Sequence, residues 1–161
     1  METKNSPAIS EPEYRSIIIG KLMNISGILQ RETNRLLTPF HLNQQQFSIL
    51  FEIAKAKEVQ QKDMVNRLLL ERAHVSKVVK KLQSMGLLEI IPIPEDKRSS
   101  LLKPTAEGRK LVDTCRAVFQ KWNKECLEQF NARELDEILQ SMDSLQNAFL
   151  SKYSDQRHDQ P

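Results

Sequence analysis

Arg72, Lys77, Lys80 and Lys81 place four cations within ten residues, and no acidic residue stands among them. Val75, Val78, Val79, Leu82 and Met85 recur through the same stretch at three- and four-residue steps. At about 100° per residue, those five apolar side chains share one side of a helix. Arg72, Ser76, Lys77, Lys80, Lys81, Gln83 and Ser84 fall on the other side, with His74 at its edge. Such a helix packs its valines against its own protein and turns ammonium, guanidinium and hydroxyl groups outward. The chemistry on offer is charge neutralisation of phosphates and donation to base edges, not bond making. A solvated helix carrying lysines for solubility has the same composition, so the neighbouring elements must decide between the two.

Other chemistry-bearing residues point to less. His41, His74 and His158 show no metal-ligand spacing and no histidine–nucleophile arrangement, and there is no glycine loop to cradle phosphate. No enzyme, metal or cofactor is expected. Cys115 and Cys126 fall in one predicted helix, and their separation corresponds to about 16 Å at 1.5 Å per residue. They cannot bridge to each other. Both lie on an apolar stripe and read as small buried hydrophobes, with a thiol redox sensor as the alternative.

The elements around the cationic helix follow from periodicity and punctuation. Residues 11–37 read as a long helix with Tyr14, Ile17, Ile18, Leu22, Ile25, Leu29 and Leu36 along one side, ended by Thr38-Pro39. Asn43 and Gln46 form a capping-box pair that opens a second helix. Residues 59–69 predict a short third helix, and 72–85 the cationic one, closed by Gly86. Residues 88–91 and 100–102 predict two short strands. Between them Pro92, Pro94 and Glu95-Asp96-Lys97-Arg98 make a charged turn. Pro104 is expected to shorten the return strand, because it lacks a donor. Thr105 caps a fifth helix running to about residue 130, and a sixth spans 132–153.

The 161 residues suit a single small domain, and 39% hydrophobic with 28% charged residues is a globular balance. The net charge of +3 says little by itself. No apolar run reaches the ~20 residues of a bilayer span, and residues 1–10 carry no apolar secretion core. A cytoplasmic protein without membrane contact is expected.

Residues 43–111 resemble the MarR-type regulators. The helix-turn-helix portion spans Gln60 to Gly86, with Gln61, Asp63, Met64, Leu68, Val75, Ser76, Val79, Leu82 and Gly86 at the usual positions. The wing signature is Asp96-Lys97-Arg98 followed by Thr105-Ala106-Glu107-Gly108. Ile90 and Ile91 stand where the family often has basic residues, and Leu69 where it often has glycine. The resemblance implies a mainly α fold of six helices with a small β-hairpin wing. In it, residues 39–105 form the winged helix-turn-helix lobe, and 11–38 with 106–153 form a helical dimerisation region. Residues 1–10 and 154–161 are expected to be flexible. The implied DNA-binding residues are Arg72, His74, Ser76, Lys77, Lys80, Lys81, Lys97 and Arg98, with Asp96 orienting Arg98 towards the minor groove.

The fifth and sixth helices add apolar stripes at Leu111, Cys115, Val118, Phe119, Trp122, Cys126 and Phe130, and at Leu135, Ile138, Leu139, Met142, Leu145 and Phe149. This is more apolar face than one winged domain covers. A two-fold homodimer on palindromic double-stranded DNA is therefore expected. The resemblance further implies a repressor released by a small aromatic or phenolic effector. Phe47, Phe51 and Trp122 could line its cavity, although core packing is the better account of each. The competing function is a winged-helix dimer that acts through protein–protein contacts.

Overall fold

The structure, a computed structural model, describes residues 10–68, 70–94 and 96–158, with the side chains of residues 66, 96–99 and 153–158 outside that description. Most of the N-terminal arm, the last three tail residues, Leu69 and Glu95 thus lie outside the described residues. The elements are α1 (Glu11–Leu37), a 3-10 turn (Thr38–Phe40), α2 (Gln44–Ala56), β1 (Val59–Gln60), α3 (Gln61–Leu68), α4 (Arg72–Ser84), β2 (Leu88–Ile93), β3 (Asp96–Pro104), α5 (Ala106–Leu127) and α6 (Ala132–His158). Mainly helical, with six α-helices and a small antiparallel sheet, the fold is the winged helix-turn-helix expected.

Local chemistry explains the boundaries. Ser10 donates both its hydroxyl (2.6 Å) and its N–H (2.8 Å) to Glu13, starting α1. Those two bonds hold the Glu13 carboxyl below its ordinary range. Asn43 and Gln46 exchange side chain and backbone at 2.9 Å each, the reciprocal cap that opens α2. Asn34 of α1 accepts a further α2 amide, that of Gln44, at 2.9 Å. The end of one helix is thereby tied to the start of the next.

Four segments differ from the sequence reading. Val59 and Gln60 form a strand rather than the first turn of α3, pairing with Leu102 and Leu101 on β3. Val59 is buried there, and a β-branched residue suits the pleated edge better than a helix start. The sheet order is therefore β1-β3-β2, with three strands instead of two. The hairpin is also longer: Ile93 already faces Asp96, so Asp96, Lys97 and Arg98 belong to β3 and not to an open turn. Between the pairs Pro92↔Ser100 and Ile93↔Asp96 the register shifts, leaving residues 97–99 without partners on β2. The wing carries its basic signature on a bulge.

Pro104 does not shorten β3, which ends on it and pairs it with Leu88. The N–H of Thr105 reaches the Leu87 carbonyl, so the alternating ladder turns the Pro104 nitrogen away from β2. On that other side β1 has already ended, and no ladder bond is forfeited. Finally, α6 runs on to His158, beyond the helix end expected at Tyr153.

The chain divides within α5 into two compact units, one through Phe119 and one from Gln120. The first holds the buried core, in which Leu37, Ile49, Leu50, Ile53, Met64, Val75, Val79, Leu82, Leu102 and Cys115 are fully enclosed. Among the described side chains of the second, none is buried, and Trp122, Phe130 and Leu145 are only half-buried. No helix among the described residues is long and apolar enough to cross a membrane.

Candidate nucleic-acid interface

The cationic helix is held by its apolar face. Val75, Val78, Val79 and Leu82 of α4 are buried, while Arg72, Lys77, Lys80, Lys81, Gln83 and Ser84 are exposed. Among the described residues, none of the four cations is ion-paired; the ion pairs present lie on α1 and α6. Their charge is free for an external anion. No acidic residue interrupts this face within the helix, so a polyanion approaching it meets no local repulsion.

The end of α4 is fixed by its own backbone. Gly86 takes the left-handed conformation (φ 73°), and its N–H donates to Gln83. The Leu87 N–H reaches back to Leu82, completing a Schellman closure. The helix therefore stops sharply, with only Met85, Gly86 and Leu87 between it and the first strand of the wing.

Ser76 and His74 flank the cationic face and are half-buried. Ser76 Oγ accepts a hydrogen bond from Gln61 Nε2 of α3 at 2.7 Å. One lone pair is therefore committed, and its proton remains to donate. Gln61 sits at a matching position in the MarR-like pattern, but its contact role was not anticipated. It is fifteen residues from Ser76, and no local spacing signals the pair. His74 is more enclosed than an edge position suggests, because its Nε2 is buried without a hydrogen-bond partner. The side chains of Asp96, Lys97 and Arg98 lie outside the described residues, and their backbone forms the start of β3 and its bulge.

A cleft of about 330 Å³ opens between α2 and α5. Phe51 and Val112 give it an apolar lining, and Lys55, Arg109, Asp113 and Arg116 a charged one. Phe47 belongs to the core cluster instead, its ring 5.8 Å from Phe51 and 5.1 Å from Phe119 by centroid. Trp122 lies in the second unit, half-buried. The two cysteines part company: Cys115 is enclosed and burial pushes its thiol up to about 11, whereas Cys126 is exposed. A shared burial for both, expected from their stripe, does not hold in this chain. Among the described residues, no group of three or more His, Cys, Asp or Glu could hold a metal ion.

Residues 42–100 match the family model described as MarR family. An HTH-type transcriptional regulator from Clostridioides difficile, BilQ, is 23% identical over 121 residues, covering 75% of this chain and 82% of that protein. A mutant of MarR from E. coli, crystallised with operator DNA, superposes with a TM-score of 0.73 at 23% identity, over 84% of this chain and 99% of that one. A putative MarR family regulator from Listeria monocytogenes, crystallised with a 26mer DNA, gives 0.79 at 20% identity, over 89% and 95%. The fold and the relatives are those of transcriptional regulators rather than enzymes.

Proposed function

We propose that this chain, whose residues 42–100 match the MarR family model, is a transcriptional regulator that works as a homodimer and binds a palindromic operator through α4 and the wing. The observation that carries this reading is the division of α4, valines enclosed and four unpaired cations exposed. The width of the major groove admits such a helix. In this reading Arg72, Lys77, Lys80 and Lys81 meet phosphates and Ser76 meets a base edge. Lys97 and Arg98 enter the minor groove from the bulged wing, Asp96 orienting Arg98. His74 supports the helix from its flank.

Dimerisation is supported by what a single chain leaves uncovered. Tyr14, Ile17, Ile18, Ile25 and Leu29 of α1 are exposed, as are Leu135, Ile138, Leu139, Met142 and Phe149 of α6. Stripes of this size ask for a partner, and a second copy is the economical one. Two-fold symmetry then sets two copies of α4 about one duplex turn apart. The protein acts in the cytoplasm as a repressor, and the α2–α5 cleft takes the small aromatic or phenolic effector that releases it. The enclosed Cys115 argues against thiol control at that position.

Fluorescence anisotropy on duplexes selected by the protein, and on random duplexes, tests the reading. Affinity should fall steeply with salt, and a selected site should bind at least about a thousandfold tighter than random DNA. Absence of binding to every duplex at low salt would overturn it in favour of a winged-helix dimer acting on other proteins.

A further inference from the structure

The hydroxyl of Thr105 stands where the cationic helix, the wing and α5 meet. Thr105 Oγ1 donates to the carbonyl of Gly86, which closes α4, at 2.8 Å. The same oxygen accepts the Gly108 N–H, in the first turn of α5, at 3.0 Å. The Thr105 N–H donates to the Leu87 carbonyl at 3.1 Å, directly before β2. Gly108 is buried so close to that carbonyl that a Cβ there would fall 2.0 Å from its oxygen. No other backbone separates the start of α5 from the end of α4.

Capping α5 requires Thr105 only to accept. The bond it donates reaches nineteen residues back along the chain and serves a different element. A hydroxyl carries one proton, so Gly108 N–H, Thr105 O–H and Gly86 C=O form a single directed relay, each bond polarising the next. The Arg109 N–H follows, donating to the Thr105 carbonyl at 3.0 Å, and Arg109 lines the α2–α5 cleft. Both N–H bonds belong to the first turn of α5, whose residue Arg109 lines the cleft.

We propose that Thr105 is a positioning residue for DNA reading: its hydroxyl sets how α4 and the wing leave α5. The inference rests on the reading of α4 as the helix that enters the groove. A hydroxyl that only capped α5 would leave operator recognition untouched when its donor bond is removed.

Three substitutions separate capping from positioning. Thr105→Ser keeps both bonds, Thr105→Asp keeps the cap but has no proton for Gly86, and Thr105→Val loses both. The readout is the ratio of operator affinity to random-duplex affinity, well below each variant's unfolding midpoint. A general loss of stability does not move that ratio. We expect Thr105→Ser within twofold of the unmodified chain, and Thr105→Asp and Thr105→Val lower by about tenfold, as for a hydrogen bond that positions a reading element. An unchanged ratio in Thr105→Asp overturns the proposal, and so does an equal loss in Thr105→Ser. Should the variants not fold, native-state amide exchange on the unmodified protein decides. The amides of Thr105 and Gly108, which donate to the Leu87 carbonyl and to the Thr105 hydroxyl, should open together, and protection differing more than tenfold between them overturns the relay. An unmodified chain that binds no duplex sinks the regulator reading instead, and the exchange result still stands for or against the relay.

Discussion

Gly108→Ala is the substitution whose sign the structure decides against local preference. In the middle of a helix, alanine is favoured over glycine by about 1 kcal/mol. Here the added Cβ would lie 2.0 Å from the Leu87 carbonyl oxygen and 3.0 Å from its carbon. A comfortable C···O separation is about 3.3 Å, so α5 and the chain before β2 must part by roughly 1.3 Å. Both partners are backbone, and neither can swing aside as a side chain would. Parting them removes the 3.1 Å bond from the Thr105 N–H and strains the 2.8 Å bond to Gly86. Two hydrogen bonds at about 1 kcal/mol each, with one enclosed carbonyl left unsatisfied at about 1–3 kcal/mol, outweigh the gain in helix propensity. The expected net loss is about 2–4 kcal/mol in urea unfolding. Gly20→Ala supplies the control. Gly20 lies mid-helix in α1 with nothing within 4 Å. The same chemical change there should stabilise by about 0.5–1 kcal/mol. A Gly108→Ala protein as stable as its parent would refute the close approach and the reasoning built on it.

Gly86→Ala meets no steric neighbour but must hold φ at 73°, so it should cost about 1–2 kcal/mol, with Gly86→Asn costing less in the same unfolding assay. With its thiol raised from 9.0 to about 11, Cys115 should resist iodoacetamide at pH 8 while exposed Cys126 reacts. Because the unfolded thiol ionises first, Cys115 favours the folded state below pH 9, and that effect is lost as the pH rises towards 11. The alkaline decline should therefore be shallower in Cys115→Ala, whatever its baseline stability. Leu139→Glu, at a position 60% exposed in the single chain, should leave the fold intact and shift mass in light scattering from two copies to one. Lys80→Ala should weaken all duplexes alike and flatten the salt slope by about one charge, whereas Ser76→Ala should reorder operator variants. Equal effects of both on every duplex would contradict the separate roles.

What could be read from the sequence was whatever a single helix encodes by itself. Tyr14 to Leu36 in α1, the Asn43–Gln46 cap, and the Val75–Leu82 stripe with Gly86 behind it are set by spacings of a few residues, and they appear where expected. Val59 and Gln60 were misplaced because their partners, Leu102 and Leu101, lie more than forty residues away. A two-residue edge strand has no period of its own. The same holds for the bulge at 97–99, visible only once Pro92 is paired with Ser100 and Ile93 with Asp96. Pro104 misled for the opposite reason. Its missing N–H was correctly noted, yet which side of the strand it faces depends on where Leu87 stands.

The candidate site divides along the same line, and the division has a physical meaning. Cationic charge on α4 follows from composition and helical phase alone, so the exposed face of Arg72, Lys77, Lys80 and Lys81 could be placed from the sequence. Charge attracts any duplex equally and discriminates little between sequences. Discrimination requires donors held in fixed directions, and those holders come from elsewhere: Gln61 of α3 orients Ser76, and Thr105 ahead of α5 grips Gly86. Each bond spans fifteen or more residues and links one element to another. If α4 reads DNA as proposed, a helix lifted from this chain would keep its attraction for phosphate and lose its selectivity, because the first is a property of α4 and the second of its attachment to α3 and α5.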